Sequence, residues 1–204
     1  MTNGINLFDL TGKRVLITGS SQGIGLTLAR GLGEAGASII VNGRNEEKLS
    51  DAAKELKKQG VTVDQLAFDV TDHAAVANAV EHATSTIGDI DVLINNAGMQ
   101  HRTPLEDFDP VMFNQLLQTN IASVFNVGQA VAKHMISRGS GKIINIASVQ
   151  TALARPGIAP YTTTKGAVAN LTKGMATDWA QYGLQVNAIA PGYFDTPLLS
   201  LIHI

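Results

Sequence analysis

Tyr161 and Lys165 stand four residues apart in Tyr161-Thr162-Thr163-Thr164-Lys165. On a helix that spacing puts both side chains on one face, one turn from each other. A free phenol has a pKa of about 10, so about one tyrosine in a thousand is ionised at neutral pH. An ammonium ~4 Å away in a partly desolvated site stabilises the phenolate by roughly 4 kcal/mol. At ~1.4 kcal/mol per pH unit, that brings the phenol down toward about 7. A tyrosine so tuned can give and take protons under physiological conditions. Alone, the pair is also what an ordinary helix face looks like, and its neighbours decide between the two.

Several other residues could do related work. Gly19-Ser20-Ser21-Gln22-Gly23-Ile24-Gly25 follows a short apolar run and opens an amphipathic one. Glycines there let the backbone turn tightly and let a pyrophosphate approach a helix amino end, where free N–H groups favour anions. The spacing differs from the common Gly-x-Gly-x-x-Gly form, and glycine-rich turns are frequent. The next apolar run ends in Asn42-Gly43-Arg44. An acidic side chain at that point would bind a ribose 2′-hydroxyl. None is present, and Arg44 offers a fork suited to a phosphate, which favours NADP over NAD; otherwise Arg44 is a solvated cation near a helix start. Asp69-Val70 could hold an adenine edge or simply form a turn. Asn95-Asn96-Ala97-Gly98 suits backbone pinning beside a cofactor, or a bare turn. Ser148 follows a strand, where its hydroxyl could donate to a developing oxyanion or act as a cap. Asn120 falls inside a helical stretch despite its poor propensity there, which points to a tertiary role.

The elements that must position these groups alternate along the chain. Apolar, β-branched runs at 13–18, 38–41, 61–68, 91–94, 142–147 and 184–190 read as strands. Helical segments are expected from the glycine cluster to about Gly36, then at 46–59, from Thr71 or Asp72 to about Ile87, at 110–138 and at 160–182. Asn42 to Asn45 is expected to turn the chain. Alternation of this kind needs crossover connections, hence a parallel sheet with helices on both faces. Ligands in such folds bind where the strands' carboxyl ends meet the helices' amino ends.

Composition narrows the function classes. The chain has 204 residues, 45% apolar and 16% charged, with a net charge of −2. That is one globular domain by size, and no electrostatic footprint for nucleic acid exists. Cysteine is absent, which excludes thiolate chemistry and fits a reducing compartment. The histidines are scattered, so no metal site is supported. No signal peptide or membrane-length apolar run is present, and the chain reads as cytoplasmic.

Together, Thr18-Gly19-x-x-x-Gly23-Ile24-Gly25, Asn95-Asn96-Ala97-Gly98, Asn120, Ser148, Tyr161-x-x-x-Lys165 and Pro191-Gly192 resemble the short-chain dehydrogenase/reductase family in kind, order and interval. The resemblance implies an α/β fold, a Rossmann-type doubly wound parallel sheet with six strands present in the order 3-2-1-4-5-6, and a nicotinamide cofactor. It assigns Tyr161 as acid/base, and Lys165 to lowering its pKa and holding the nicotinamide ribose. Ser148 would polarise the substrate carbonyl, and Asn120 would hold a water relaying protons to Lys165. Gly19, Ser21, Gly23, Ile24, Gly25, Arg44, Asp69, Val70, Asn96, Ala97, Gly98, Pro191, Gly192 and Thr196 would contact the cofactor beside Tyr161 and Lys165. Within the family, Gly98 to Leu105 and Ser148 to Gly157 look most like the gluconate 5-dehydrogenases, a sugar-acid branch. Arg102 could clamp a carboxylate; Gln150 and Arg155 lie near Ser148 and could reach hydroxyls or the carboxylate. Another keto substrate, a 3-ketoacyl thioester or a different polyol, is the alternative.

The chain's end departs from the family, whose members continue past Pro191-Gly192 into a substrate lid, a helix and a seventh strand. Residues 1–204 are therefore expected to form a single NAD(P)-binding Rossmann domain, incomplete at its carboxyl end. On that basis a non-catalytic cofactor-binding fragment is the second class of function, and the dimer or tetramer common in the family is expected of an intact parent.

Overall fold

The computed structural model describes residues 7–194. Strands and helices alternate: β1 (Arg14–Ile17), α1 (Gly23–Glu34), β2 (Ser38–Gly43), α2 (Glu46–Lys58), β3 (Val63–Ala67), α3 (His73–Thr86), β4 (Val92–Asn95), α4 (Pro110–Leu117), α5 (Ser123–Arg138), β5 (Gly141–Ile146), α6 (Ala159–Trp179) and β6 (Leu184–Ile189). The sheet is parallel throughout, in the order β3-β2-β1-β4-β5-β6, as the sequence led one to expect. Strand order reverses between β1 and β4, so a crevice opens above their carboxyl ends.

Side-chain alternation sorts the strands onto two cores. Leu16, Ile40, Leu93 and Ile143 face α3, α5 and α6. Val15, Ile17, Ile39, Val41 and Ile94 face α1 and α2. The central strands β1, β2 and β4 are buried on both faces, which is why they read as unbroken apolar runs, whereas β3 and β6 alternate. Helix starts follow local chemistry. Asn45 accepts from Lys48 N–H at 2.8 Å to cap α2, whose first turn carries Glu46 and Glu47 and whose last carries Lys57 and Lys58. Asp72 caps α3 through the Ala74 and Ala75 amides. Asp109 caps α4 with Pro110 in its first turn.

Two expectations change. Asn42 and Gly43 belong to β2 and do not turn the chain. The Asn42 amide is spent inside the sheet, donating to Leu66 and Phe68 carbonyls at 3.0 and 3.2 Å. The stretch 110–138 is also not one regular helix: Gln118–Ala122 between α4 and α5 is a π-helical turn, and Asn120 sits in it, buried. Beneath the crevice, Asn95 of β4 and Asn145 of β5 are register partners. Asn95 donates to Asn145 at 2.9 Å, and Asn145 donates to the Thr172 hydroxyl of α6 at 2.9 Å. No helix among the described residues is long and apolar enough to cross a membrane. They also hold no cluster of His, Cys, Asp or Glu that could bind a metal.

Leu93 is fully buried at the centre of the sheet. Leu93→Ala should lower the unfolding free energy by about 2–5 kcal/mol, because the packed helices can only partly refill the cavity. Urea denaturation checks this, and a loss below about 1 kcal/mol would show that the site collapses freely.

Candidate active site

The β1–α1 turn is built by close approach. Gly19 has φ +62°, and a Cβ there would stand 2.9 Å from the Ala97 α-carbon. Asn42 Oδ1 accepts from Gly19 N–H at 3.2 Å, on the β2 side. On the β4 side Asn96 Nδ2 donates to the Thr18 and Gly19 carbonyls at 2.9 and 3.0 Å. The Thr18 hydroxyl in turn accepts from the Asn96 and Ala97 amides, both at 3.0 Å. Gly25 does not line the crevice. A Cβ there would meet the Gly19 carbonyl at 2.5 Å and Asn96 Nδ2 at 2.6 Å. Its role is to let α1 pack against the turn and β4.

Above this turn a crevice of about 370 Å³ is lined by Gly19, Ser21, Gly23, Ile24, Arg44, Asp69, Val70, Asn96, Ala97, Gly98, Ser148, Gln150, Arg155, Tyr161, Lys165, Pro191 and Gly192. These are most of the site residues expected from sequence. Arg102 is not among them. It is exposed beside Gly157, whose Cβ position lies 3.3 Å from Arg102 Cγ. Thr103 N–H donates to Gly157 O at 3.1 Å, so the loops after β4 and β5 are joined there. Thr196 lies outside the described residues. Met99, Gln100, Tyr193 and Phe194 line the crevice without having been singled out.

Asn120 stands behind the wall. Its Oδ1 accepts from Met99 N–H at 2.8 Å. Its Nδ2 donates to Met99 O at 2.9 Å and to the Thr164 hydroxyl at 3.1 Å. The amide thus clamps the loop after β4 to α6, and both its N–H donors are spent. Ser148 is buried, and its Oγ accepts from Gln150 N–H at 3.2 Å, so it does act as a cap while it faces the crevice.

The electrostatics of the Tyr161–Lys165 pair differ from expectation. Lys165 is buried, and its ammonium donates to Ile146 O at 2.7 Å, 5.7 Å from the Tyr161 ring centroid. Burial lowers its pKa from 10.5 to about 8. Burial also raises the Tyr161 phenol above its ordinary value, although the Ser148 hydroxyl and the Arg155 guanidinium favour the phenolate. Both shifts have one main cause: enclosure disfavours the charged form of each group.

At the other end of the crevice Arg44 approaches Asp69 at 3.4 Å and stays exposed. Burial disfavours the Asp69 anion, but the Thr71 amide and hydroxyl, at 2.9 and 2.7 Å, and then Arg44 outweigh it. The Asp69 carboxyl lies below its usual range. The lining suits a phosphorylated dinucleotide. Gln22, at the N-cap of α1, makes no side-chain cap, and Gly23-Ile24-Gly25 carries no acid, so the first amides of α1 are left for an anion. The Gly19 turn offers backbone where a side chain could not fit. Arg44 brings a cation to the end of β2, where a 2′-phosphate would need one.

The sequence matches the family described as short chain dehydrogenase over residues 13–203. It is 57% identical over 193 residues to the gluconate 5-dehydrogenase of Gluconobacter oxydans (strain 621H), across 95% of this chain and 75% of that protein. It is 47% identical over 193 residues to the 5-keto-D-gluconate 5-reductase of Escherichia coli (strain K12), across 95% of this chain and 76% of that one. The fold is similar to the crystal structure of a gluconate 5-dehydrogenase from Burkholderia cenocepacia J2315 in complex with NADP and tartrate. There the TM-score is 0.95 and the identity 55%, covering 99% of this chain and 80% of that one. With its motif residues gathered in one crevice and its sequence matched nearly end to end, the chain belongs to the short-chain dehydrogenases.

Proposed function

We propose that this chain is an NADP(H)-dependent oxidoreductase that interconverts D-gluconate and 5-keto-D-gluconate. The observation that carries the reading is one crevice holding the Gly19 turn, Arg44, Ser148, Tyr161 and Lys165, in a chain 57% identical to a gluconate 5-dehydrogenase. The Gly19–Gly25 turn and the α1 amides hold the pyrophosphate, Arg44 the 2′-phosphate, and Asp69 and Val70 the adenine. Asn96, Ala97, Gly98, Pro191 and Gly192 line the nicotinamide half. NADP(H) bound there supplies the hydride for ketone reduction and accepts it in alcohol oxidation.

The remaining steps belong to the chain's own side chains. Ser148 donates its hydroxyl hydrogen to the substrate oxygen, which polarises a carbonyl or steadies an alkoxide. Tyr161 as the phenol delivers a proton to the same oxygen on reduction, and as the phenolate takes one from the substrate hydroxyl on oxidation. Lys165 spends one of its three N–H donors on Ile146 O and offers the others to the ribose. Asn120 holds the Met99 loop against α6 and so fixes the wall facing Lys165. Gln150 and Arg155 meet the hydroxyls and the carboxylate of the sugar acid. The same reading makes the chain a single cytoplasmic Rossmann-type unit, with the homodimer or homotetramer expected of its intact parent.

A substrate panel tests the assignment: 5-keto-D-gluconate should outpace a 3-ketoacyl thioester and uncharged ketoses with NADPH. Preference for the thioester would overturn it, and saturable NADPH binding with no turnover of any ketone would mark a binding protein. Tyr161→Phe should cut kcat by about 10²–10⁴-fold while leaving NADPH binding intact. Arg44→Ser should weaken NADPH binding about tenfold and NADH binding much less, the value of one exposed charge-assisted contact to phosphate. Equal losses for the two nucleotides in a fluorescence titration would place the 2′-phosphate elsewhere.

Lys165 also predicts a stability trend. Its pKa is lower in the folded chain, about 8, than the ordinary 10.5. Between those values the unfolded chain binds more protons, so stability rises with pH across that window. Relative to Lys165→Met, the wild type should gain roughly 3 kcal/mol as pH climbs from 7 to 11. Urea denaturation of both chains across that range reads the difference, and a pH-independent gap would mean that Lys165 titrates normally.

A further inference from the structure

Tyr193 follows the Pro191-Gly192 pair, is 63% exposed, and touches the crevice wall at two points. Its hydroxyl accepts from Gln150 Nε2 at 3.2 Å. Its ring lies under the Arg155 guanidinium, with 5.1 Å between Arg155 Cζ and the ring centroid. Gln150 and Arg155 are otherwise short of partners among the described residues. Gln150 is 4% exposed, and its Oε1 is buried with no hydrogen-bond donor. Arg155 Nε is likewise buried without an acceptor, and no carboxylate among the described residues forms an ion pair with its guanidinium. Unpaired buried polar atoms are costly, so both groups are poised for a ligand.

We propose that Tyr193 is a positioning residue that sets the acid specificity of the crevice, aligning Arg155 for a carboxylate and Gln150 Oε1 for a neighbouring hydroxyl of a polyhydroxy acid. This inference rests on the sugar-acid reading given above. Stacking on the ring covers one face of the guanidinium and leaves its edges, which carry the N–H donors, free for a bidentate contact. Donation from Gln150 Nε2 to the phenol fixes the amide and leaves Oε1 as its unspent acceptor. A neutral ketose offers the hydroxyl without the anion, and a plain ketone offers neither. The arrangement therefore selects by charge and by hydroxylation together. It also sits beside Tyr161, whose phenolate the Arg155 charge favours.

Two variants of the full chain separate the contacts. Tyr193→Phe keeps the stack and removes the hydroxyl; Tyr193→Ala removes both, and the ring is exposed enough that neither variant disturbs the core. With 5-keto-D-gluconate and NADPH, Tyr193→Phe should raise KM about threefold and Tyr193→Ala about tenfold or more, with kcat within about threefold. The NADPH Kd and the KM for an uncharged ketose should stay within about twofold of wild type. An unchanged KM for the keto acid in Tyr193→Ala overturns the proposal. So does an equal rise for the acid and the neutral ketose, which would make Tyr193 a mere wall. Calorimetric titration of D-gluconate into NADP-saturated protein reads the same contacts without turnover. A wild type that binds gluconate about tenfold more tightly than Tyr193→Ala but turns over no sugar acid would refute the proposed reaction and keep this inference. A wild type that binds no gluconate would refute both.

Discussion

The β1–α1 turn can exist only because Gly19 carries no side chain where its backbone meets Ala97. Two asparagines hold that approach from opposite sides: Asn42 through the Gly19 amide, Asn96 through the Thr18 and Gly19 carbonyls. The turn is thus tied at once to β2 and to β4, the strands on either side of β1. Everything that faces the crevice inherits its position from this tie. The amino end of α1, the end of β2 with Arg44 and the loop after β4 with Gly98 and Met99 are all set by one packed junction. The loop after β4 is then passed on, through Asn120, to Thr164 on α6, one residue before Lys165. Hydrogen bonds at both ends of that loop, with its backbone between them, therefore join the Gly19 turn to α6.

Electrostatics at the α6 end of the crevice follow burial more than pairing. A cation beside a phenol would be expected to assist its ionisation, but burial opposes it. Lys165 is enclosed by the same packing that fixes its position, and enclosure disfavours the charged form of both groups. The exposed pair at the opposite end, Arg44 with Asp69, is governed differently. There solvent screens the ions, and a neighbouring amide and hydroxyl do more for the carboxylate than the arginine does. One crevice thus contains a dry end tuned by desolvation and a wet end tuned by hydrogen bonding.

The fold could be read from the chain because the central strands are buried on both faces and α2, α3 and α4 begin at capping side chains. Both features are written locally, in runs such as Val15–Ile17 and Ile39–Val41 and in Asn45, Asp72 and Asp109. Sequence order and strand alternation then leave few topologies. What escaped reading depends on distance through space. Asn42 looked like a turn residue because asparagine usually is one; its amide instead meets the carbonyls of β3, contacts no local pattern reports. Arg102 stands just past β4, yet the loop joined to Gly157 carries it away from the crevice. Tyr193 gave no signal because its partners, Gln150 and Arg155, are some forty residues earlier in the chain. The π-helical turn at Asn120 was foreshadowed only as a helical position that suits asparagine poorly.

The buried Asn95–Asn145–Thr172 chain bears on how faithfully the sheet assembles. Between purely apolar strands, neighbouring alignments differ mainly in how well side chains fill space, and slipped pairings can compete during folding. An amide ladder is far less forgiving. Should β5 dock one residue out of step with β4, Asn95 and Asn145 would lose each other inside a dry core, and the Thr172 hydroxyl would lose its donor from the sheet. Two or three orphaned polar groups cost several kcal/mol together, which is enough to make the misaligned sheet a poor trap. Because Thr172 lies two turns beyond Lys165 on α6, the same ladder rejects a mis-set helix along with a mis-set strand, so chains that complete the sheet carry Tyr161 and Lys165 already in place.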